Sequence, residues 1–332
     1  NLYGLPAQVI RECLLGFIER DKGNASGNKN SRSFLEWIHR HFGEGIARHF
    51  MIPYNKKFWT VSPKELTCEW LDGFIPIPSL RQIIEGAVRE NKVQFGYNAR
   101  FWYPRRGGIA SLPRALASGI KHIFTDCHVA EIDLDKKEIK MTSGDREKFD
   151  YLISTIPLPQ MPHLIKRLPN HIRSACKKLR WNSIFNLNLG VKKRNDSKRH
   201  WIYFPQKEIA FFRVGFFHNF SLQLAPAGKG SLYVEVAYSQ DKPIDKNRII
   251  SEIKDGIKSV GILSSRDAIC VQDINDIHYG YPLYDTHHQS ARERILDFLN
   301  QNSIFPCGRY GSWPYMSMED SLLDGKRLAT II

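Results

Sequence analysis

The chain has 332 residues, 42% of them hydrophobic and 25% charged, which is an ordinary globular balance with room for two domains. No apolar run approaches the roughly 18 residues that a spanning helix needs, so we predict no membrane span. The net charge of +14 is dispersed, and its densest cluster, residues 190–200, is typical of a loop between strands. We interpret this charge as a basic solvated surface and expect no nucleic-acid partner, with an anionic small substrate as an alternative.

The N-terminal part of the chain, residues 1–72, is predicted to be mostly helical. Apolar residues recur at helical spacing over 5–20. Ser33 and Glu36 form the Ser-x-x-Glu pattern of a capping box that opens the next helix. A further amphipathic stretch is predicted to stop at Pro53, because proline cannot continue a helix interior.

From residue 93 onward the pattern changes to strands and turns. Segments with strand-like alternation or apolar runs are 93–103, 128–134, 138–149, 151–157, 181–191, 200–205, 209–217, 231–239 and 268–282. Helical patterns cover 111–120, about 170–180, 245–262 and 287–301. A short strand, a turn and a helix complete the chain. This order of elements predicts an α/β protein with a sizeable antiparallel sheet.

The cysteine and histidine patterns exclude several kinds of site. The six cysteines are scattered and contain no Cys-x-x-Cys pair, which is typical of buried free thiols in a reducing compartment. We therefore expect a cytoplasmic protein with no disulfide framework and no metal. There is no His-Glu-x-x-His and no Gly-x-Ser-x-Gly, so neither a zinc protease nor a serine hydrolase is supported.

The closing stretch, "FPCGRYGSWPYMSMEDSLLDGKRLATII", suggests an anion site. Ser317 and Asp320 form a capping pattern at the start of a helix, and a helix N-terminus favours negative charge. Arg309 follows a short apolar strand and could form bidentate hydrogen bonds to a diphosphate. The alternative is a well-capped terminal helix with Trp313 and Tyr315 in the core. The residues alone leave both interpretations open, because no complete Gly-x-Gly-x-x-Gly phosphate cradle is present.

Six segments in chain order resemble the UDP-galactopyranose mutases and, more broadly, the flavin amine-oxidase superfamily. They are "PYNKKFW" (53–59), "CEWL" (68–71), "NARFWYPRRGG" (98–108), "WIYFP" with "FFRV" (201–205 and 211–214), "YGYP" (279–282) and "GRYGSWPY" (308–315). The resemblance implies an α/β fold: a partial Rossmann-like FAD-binding domain, a helical domain and an antiparallel substrate-binding sheet. The implied boundaries are 1–75 for the helical domain, 76–105 and 161–300 for the substrate sheet, and 106–160 and 301–332 for the FAD domain.

The resemblance also implies a cofactor and a reaction. Reduced FAD would attack the anomeric carbon of a UDP-sugar through flavin N5 and expel UDP. The flavin–sugar adduct would open as an iminium, reclose in the other ring form and recapture UDP, with no net redox change. Such an enzyme would take a small-molecule nucleotide sugar and serve polysaccharide biosynthesis; a homo-oligomer is left open. The residues implied for cofactor binding are Gly107, Gly108, Val129, Gly308, Arg309, Ser317 and Met318.

The implied substrate residues surround a diphosphate and a sugar. Arg213 would clamp the diphosphate, and Tyr203, Tyr281 and Tyr315 would donate hydrogen bonds to it. The nucleotide side would be framed by Phe50, Asn55 and Trp59, while Asn98 would lie near the sugar and flavin. The catalytic set is Arg213, Asn98, Tyr281 and Tyr315.

Two of these residues can also be interpreted without a ligand. Tyr203 lies on an alternating strand and could be core, and Trp59 could pack under the helices. Arg213 is different, because a buried unpaired arginine is costly and needs an anionic partner or solvent.

Two departures from the family pattern affect these expectations. The Gly-rich βαβ unit is missing, and we expect the chain to be an incomplete copy rather than one completed by a partner. Phe74 stands where the family places a second diphosphate-binding arginine, unless Arg81 or Arg100 reaches the site. An FAD oxidoreductase of the amine-oxidase or protoporphyrinogen-oxidase type is therefore the main alternative, and a non-catalytic remnant is the third.

Overall fold

The computed structural model describes residues 1–20, 31–71, 74–90, 100–264 and 269–332. The described chain divides into two compact units. Unit 1 comprises Asn1–Ser118 and Asn182–Gly280, and unit 2 comprises Gly119–Trp181 and Tyr281–Ile332. Each unit is thus built from two separated stretches. The boundaries of the compact units differ from the functional boundaries given above, and the division into three functional domains stays a prediction.

The first part of unit 1 is helical, as predicted. Its α-helices are α1 (Ala7–Glu19), α2 (Phe34–Ile46), α3 (Ile52–Trp59), α4 (Leu80–Val88) and α5 (Ser111–Ala117). α1 and α2 approach each other backbone to backbone: a Cβ on Gly43 would lie 2.0 Å from the carbonyl oxygen of Gly16. Gly43 also has a φ of 72°, so a kink in α2 and a close helix crossing both depend on this glycine.

The predicted helix stop at Pro53 is wrong. A π-helical turn, Ala47–Met51, leads directly into α3, and Pro53 is the second residue of that helix. Proline is tolerated there because the first N–H groups of a helix have no intrahelical acceptor. The prediction at Ser33 is confirmed in part: its hydroxyl accepts from the N–H of Glu36, but the Glu36 carboxylate accepts from Arg32 instead.

The second part of unit 1 is the predicted antiparallel sheet. Its strands are β5 (Trp181–Val191), β6 (Trp201–Tyr203), β7 (Arg213–Phe216), β8 (Gly230–Tyr238) and β9 (Ile269–Pro282), in the order β6-β7-β8-β5-β9. The β5–β8, β6–β7 and β7–β8 pairs are antiparallel. Helix α8 (Ile249–Ser259) buries Ile249, Ile253 and Ile257, which join the apolar residues of the sheet in one core cluster. Burial of this face explains the period-two pattern of the strands.

Unit 2 is a mixed α/β unit. It contains an antiparallel meander, β1 (Val129–Asp133), β2 (Glu138–Met141) and β3 (Arg146–Lys148), and a parallel pair, β4 (Leu152–Ser154) with β10 (Ile304–Pro306). Its helices are α6 (Met161–Leu164), α7 (Asn170–Cys176), α9 (His288–Gln301), α10 (Gly308–Gly311) and α11 (Met318–Leu328). The predicted α/β class with an antiparallel sheet is confirmed.

Some sequence expectations are corrected by the structure. Residues 100–103, predicted as strand, form none, and the rest of that segment lies largely outside the described residues. Helix α4, which the sequence analysis missed, begins at the capping box of Ser79 and Gln82. All six cysteines are free thiols, but Cys127 and Cys270 are exposed rather than buried.

Candidate functional site

Four residues of unit 1 form what we call the hairpin cluster: Tyr203, Arg213, Tyr233 and Glu235. Tyr203 at the end of β6 pairs in register with Arg213 at the start of β7. Arg213 in turn pairs in register with Glu235 in the middle of β8. The sheet therefore lines up a phenol, a guanidinium and a carboxylate across three neighbouring strands.

The charge of Arg213 is balanced inside the protein. Its Nε donates a hydrogen bond to Oε2 of Glu235, and the two side chains are only 23% and 13% exposed. The guanidinium carbon also lies 5.8 Å from the centre of the Tyr233 ring. Glu235 thus supplies the anionic partner that a half-buried arginine needs. A bound diphosphate is not required to explain Arg213, and its role as a clamp stays a prediction.

A ladder of aromatic rings on α3 and the turn before it borders the hairpin cluster. Phe50 stacks on Tyr54 with ring centres 5.4 Å apart, and Tyr54 stacks on Phe58 at 6.2 Å. Tyr54 also meets Tyr203 edge to face at 5.1 Å. Because Phe50 is 37% exposed, this end of the ladder offers a ring face that can pack against a flat ligand.

Two residues predicted to frame a nucleotide are buried in unit 1. Trp59 is 1% exposed and packs edge to face against Phe58 and Trp70. Asn55 is also buried, and its amide donates to the carbonyl oxygen of Met51 at 2.7 Å. Both environments favour a packing role over direct contact with a ligand, and the substrate roles of these residues stay predictions.

Three predicted residues come together in unit 2, in what we call the arginine–tyrosine cluster: Tyr281, Arg309 and Tyr315. The two phenol rings are stacked, with centres 6.0 Å apart and planes at 23°. The Arg309 guanidinium carbon lies 4.4 Å from the centre of the Tyr281 ring and 5.9 Å from that of Tyr315. A cation held against two aromatic faces suits a flat, electron-rich or anionic ligand.

The predicted cap of the last helix is confirmed. Ser317 Oγ accepts from the N–H of Asp320 at 3.1 Å, and the N–H of Ser317 donates to the Asp320 carboxylate at 2.7 Å. The Ser317 hydroxyl is therefore used within the helix. The next two N–H groups, of Met318 and Glu319, are at the positively polarised end of α11, where helix geometry provides no acceptor.

Gly308 begins α10, separated by one residue from the end of β10. Its φ is 71°, a conformation that favours glycine, and its N–H donates to the buried Asp324 carboxylate at 2.8 Å. The pKa of Asp324 is lowered, because its hydrogen bonds from Arg327 and Gly308 outweigh the opposing effect of burial. An ionised Asp324 thus fixes the strand-to-helix turn that carries Arg309.

The remaining predicted residues are placed as follows. Val129 is the first residue of β1 in unit 2, and Met318 is an exposed residue at the start of α11. Gly107 and Gly108, in unit 1, both have positive φ in the turn before α5. Asn98 lies outside the described residues. The cofactor and catalytic roles of these residues stay predictions.

Sequence reasoning missed two charged residues of unit 1. Lys57 of α3 donates to four backbone carbonyl oxygens, and Glu235 pairs with Arg213. Glu235 is the single acidic residue within the apolar run of β8, which marks it as unusual. Its partner could not be identified, since the register of β7 and β8 is a property of the folded sheet.

Neither a metal centre nor a membrane helix is found among the residues that the structure describes. No group of three or more His, Cys, Asp or Glu side chains there is arranged to hold a metal ion. In the same residues, no helix is both long and apolar enough to cross a membrane.

Comparison with known proteins identifies the family. The profile of flavin-containing amine oxidoreductases matches residues 22–332. A reduced UDP-galactopyranose mutase is similar in structure, with a TM-score of 0.87 and 28% identity over 95% of this chain and 70% of that chain. A candidate protoporphyrinogen oxidase from Exiguobacterium sp. 255-15 has a TM-score of 0.72 and 14% identity over 98% of this chain and 72% of that chain. A putrescine oxidase variant with redesigned cofactor binding has a TM-score of 0.59 and 12% identity over 99% of this chain and 76% of that chain. At these low identities the last two show the fold alone. The chain belongs to the family of flavin-containing amine oxidoreductases.

Proposed function

We propose that this protein binds FAD and, with the flavin reduced, interconverts the pyranose and furanose forms of a UDP-sugar. The observation that carries the proposal is the similarity to the reduced UDP-galactopyranose mutase over 95% of the chain. Its TM-score of 0.87 and its identity of 28% are both substantial, and the hairpin cluster supplies a basic and a phenolic group suited to a nucleotide diphosphate.

The residues of unit 2 fit the cofactor in their chemistry. Arg309 with Tyr281 and Tyr315 forms a flat cationic and aromatic surface suited to a ring system, and the N-terminus of α11 suits a phosphate group. When bound, reduced FAD would supply the nucleophile for opening the sugar ring. Gly308 and Ser317 would contribute to the shape of the cofactor site rather than hydrogen-bond the cofactor. The N–H of Gly308 already donates to Asp324, and the hydroxyl of Ser317 already donates to Asp320.

The protein's own part in this reaction is positioning and charge. Tyr203 and Arg213 would bind the diphosphate from the end of the β6–β7 hairpin, and an incoming diphosphate would compete with Glu235 for the guanidinium. The exposed face of Phe50 would stack on the base. These contacts would hold the leaving UDP near the sugar, so that recapture is an intramolecular step.

A second function is favoured by a specific observation. Glu235 already neutralises Arg213, and Phe74 occupies the position where the mutase pattern has an arginine. Both features lower the positive charge available to a diphosphate. An FAD oxidoreductase acting on an amine or apolar substrate would need no such charge, and the family match is compatible with it.

The experiment that separates the two functions uses the purified protein supplied with FAD. The flavin is reduced with dithionite under anaerobic conditions, UDP-galactofuranose is added, and UDP-galactopyranose is measured by chromatography. Conversion with reduced but not oxidised flavin supports the mutase. Bound, reducible flavin without conversion, together with flavin reduction by added amines, supports the oxidoreductase instead.

Arg213→Ala provides the residue-level test. We expect the variant to keep its flavin and to lose conversion of the UDP-sugar, because the clamp is removed. Arg248→Ala is the matched control, since Arg248 is an exposed arginine at the start of α8 whose contact is a surface pair with Glu252. Unchanged turnover in Arg213→Ala would remove the diphosphate clamp from the proposal.

A further inference from the structure

The side chain of Lys57 ends inside a ring of backbone oxygens in unit 1. Its Nζ donates to the carbonyl oxygens of Phe204, Gln206, Ile209 and Phe211 at 2.8, 2.9, 2.7 and 2.6 Å. All four carbonyls belong to the segment 204–211, which connects β6 to β7. We call this arrangement the carbonyl cage.

The contacts in the carbonyl cage are those of a bound cation. An ammonium group has three N–H donors, so four short contacts mean that at least one N–H is shared between two oxygens. Rings of backbone carbonyls are also how proteins hold K⁺. Burial lowers the pKa of Lys57 to about 8, which leaves the amine protonated at neutral pH. The charged groups that act on it are Lys242 and Glu208.

The carbonyl cage lies next to two residues of the hairpin cluster. Tyr203 immediately precedes the first cage residue, and Arg213 is two residues after the last. The backbone of Phe204 donates to the carbonyl of Phe212 at 2.9 Å, which extends the hairpin beyond its final register pair. Any change in the path of 204–211 therefore moves Tyr203 and Arg213.

The residues on either side of Lys57 contact the same hairpin. Tyr54, one helical turn earlier, meets Tyr203 edge to face at 5.1 Å. Phe58, the next residue, meets Phe212 edge to face at 5.2 Å. Each of these aromatic contacts is worth less than the four charge-assisted hydrogen bonds of Lys57 taken together. Lys57 is thus the polar centre of the α3–hairpin contact.

We infer that Lys57 is a positioning residue for the proposed ligand site: its ammonium fills the carbonyl cage and so fixes the hairpin that presents Tyr203 and Arg213. The part of this inference that concerns ligand binding rests on the proposed function. The part that concerns the hairpin rests on the four contacts alone, and the two parts have separate measurements.

The test compares Lys57→Ala and Lys57→Gln with wild type and with Lys56→Ala. Lys56 is the exposed neighbour on the same helix, so its variant controls for loss of one lysine charge. Hydrogen exchange of the amides of 204–213 is measured by mass spectrometry, and UDP binding by calorimetry. Flavin content is recorded for each variant. Each sample is then repeated with n-propylammonium or K⁺ added in excess.

We expect exchange of the hairpin amides to become about 10-fold faster in Lys57→Ala, with a smaller change in Lys57→Gln, which keeps N–H donors but lacks the charge. UDP affinity should fall about 10-fold while flavin content is unchanged. Added n-propylammonium or K⁺ should reverse both effects in Lys57→Ala, and Lys56→Ala should match wild type. Rescue by a small cation would not follow from a merely apolar packing role.

Two results would overturn the inference. The first is wild-type exchange of the hairpin in both Lys57 variants. The second is faster exchange in Lys57→Ala that neither cation reverses. If Lys57→Ala does not fold, the comparison is made on Lys57→Gln alone, with the same two measurements. Absence of UDP binding in the wild-type protein would instead overturn the proposed function, and hairpin exchange would still decide the role of Lys57.

Discussion

The ion pair of Arg213 with Glu235 allows a direct test of how much two largely buried charges stabilise unit 1. Two unit charges about 4 Å apart attract by about 4 kcal/mol at an effective dielectric constant of about 20. With exposed fractions of 23% and 13%, desolvation offsets a substantial part of this attraction. We therefore expect a coupling free energy of about 2 kcal/mol between the two side chains.

A double-mutant cycle measures that coupling. The variants are Arg213→Leu, Glu235→Leu and the combination of both, and the free energy of unfolding is obtained from urea titrations. Each single variant leaves one largely buried charge without its partner and should lose about 1.5 kcal/mol, less than for a fully buried pair, because both side chains keep some contact with solvent. The combined variant should recover most of that loss, because it removes both charges together.

The matched control is the pair of Arg81 and Glu85 on α4. That pair is exposed, with exposed fractions of 87% and 36%, and should show a coupling of no more than about 0.5 kcal/mol. A coupling at the Arg213–Glu235 pair no larger than that of the control would refute the reasoning. It would mean that solvent, rather than Glu235, satisfies the guanidinium.

Three further predictions concern the stability of the two units. His288 is buried, and burial lowers its pKa to about 4, so between pH 6.5 and pH 4 the unfolded chain binds a proton that the folded chain does not. The free energy of unfolding should therefore fall by about 3 kcal/mol as the pH is lowered over this range. Urea titrations at several pH values would show this dependence in wild type and its loss in His288→Gln. Gly215→Ala should destabilise by at least about 2 kcal/mol, because the added Cβ would lie 1.8 Å from the buried Tyr233 ring; an unchanged melting temperature would contradict this. Ser317→Ala should cost about 1 kcal/mol by removing the cap of α11. Ser317→Thr, which keeps a hydroxyl that can accept from the Asp320 N–H and donate to its carboxylate, should be close to wild type in thermal unfolding.

Much of the fold could be predicted from local patterns. The strands of the large sheet were visible because one face of each is buried in a single core, which imposes alternation. The cap at Ser317 was visible because a hydroxyl followed by a carboxylate three residues later satisfies two N–H groups reciprocally. The helix stop expected at Pro53 does not occur, since a preceding π-helical turn leads into a new helix at that point.

The charged contacts of the candidate site could not be predicted in the same way. Lys57 meets its four carbonyls about 150 residues further along the chain, and nothing in the helix pattern of 52–59 marks this lysine as different from Lys56. Glu235 meets Arg213 only because β7 and β8 pair in one particular register. A shift of one residue would send the two side chains to opposite faces. Such contacts belong to tertiary structure and have no local signature.

The π-helical turn Ala47–Met51 has a consequence for insertions and deletions. In a π turn the hydrogen bonds run from residue i to i+5, so the turn contains one residue more than an α turn would use. Deleting that residue would leave an ordinary α turn, and Tyr54, Lys57 and Phe58 would keep their face toward the hairpin. In an unbroken α-helix the same deletion would rotate everything after it by about 100° around the helix axis. The π turn therefore lets this helix lose one residue at 47–51 without turning α3 away from the sheet, and a one-residue gap there in a relative would be compatible with the same contact.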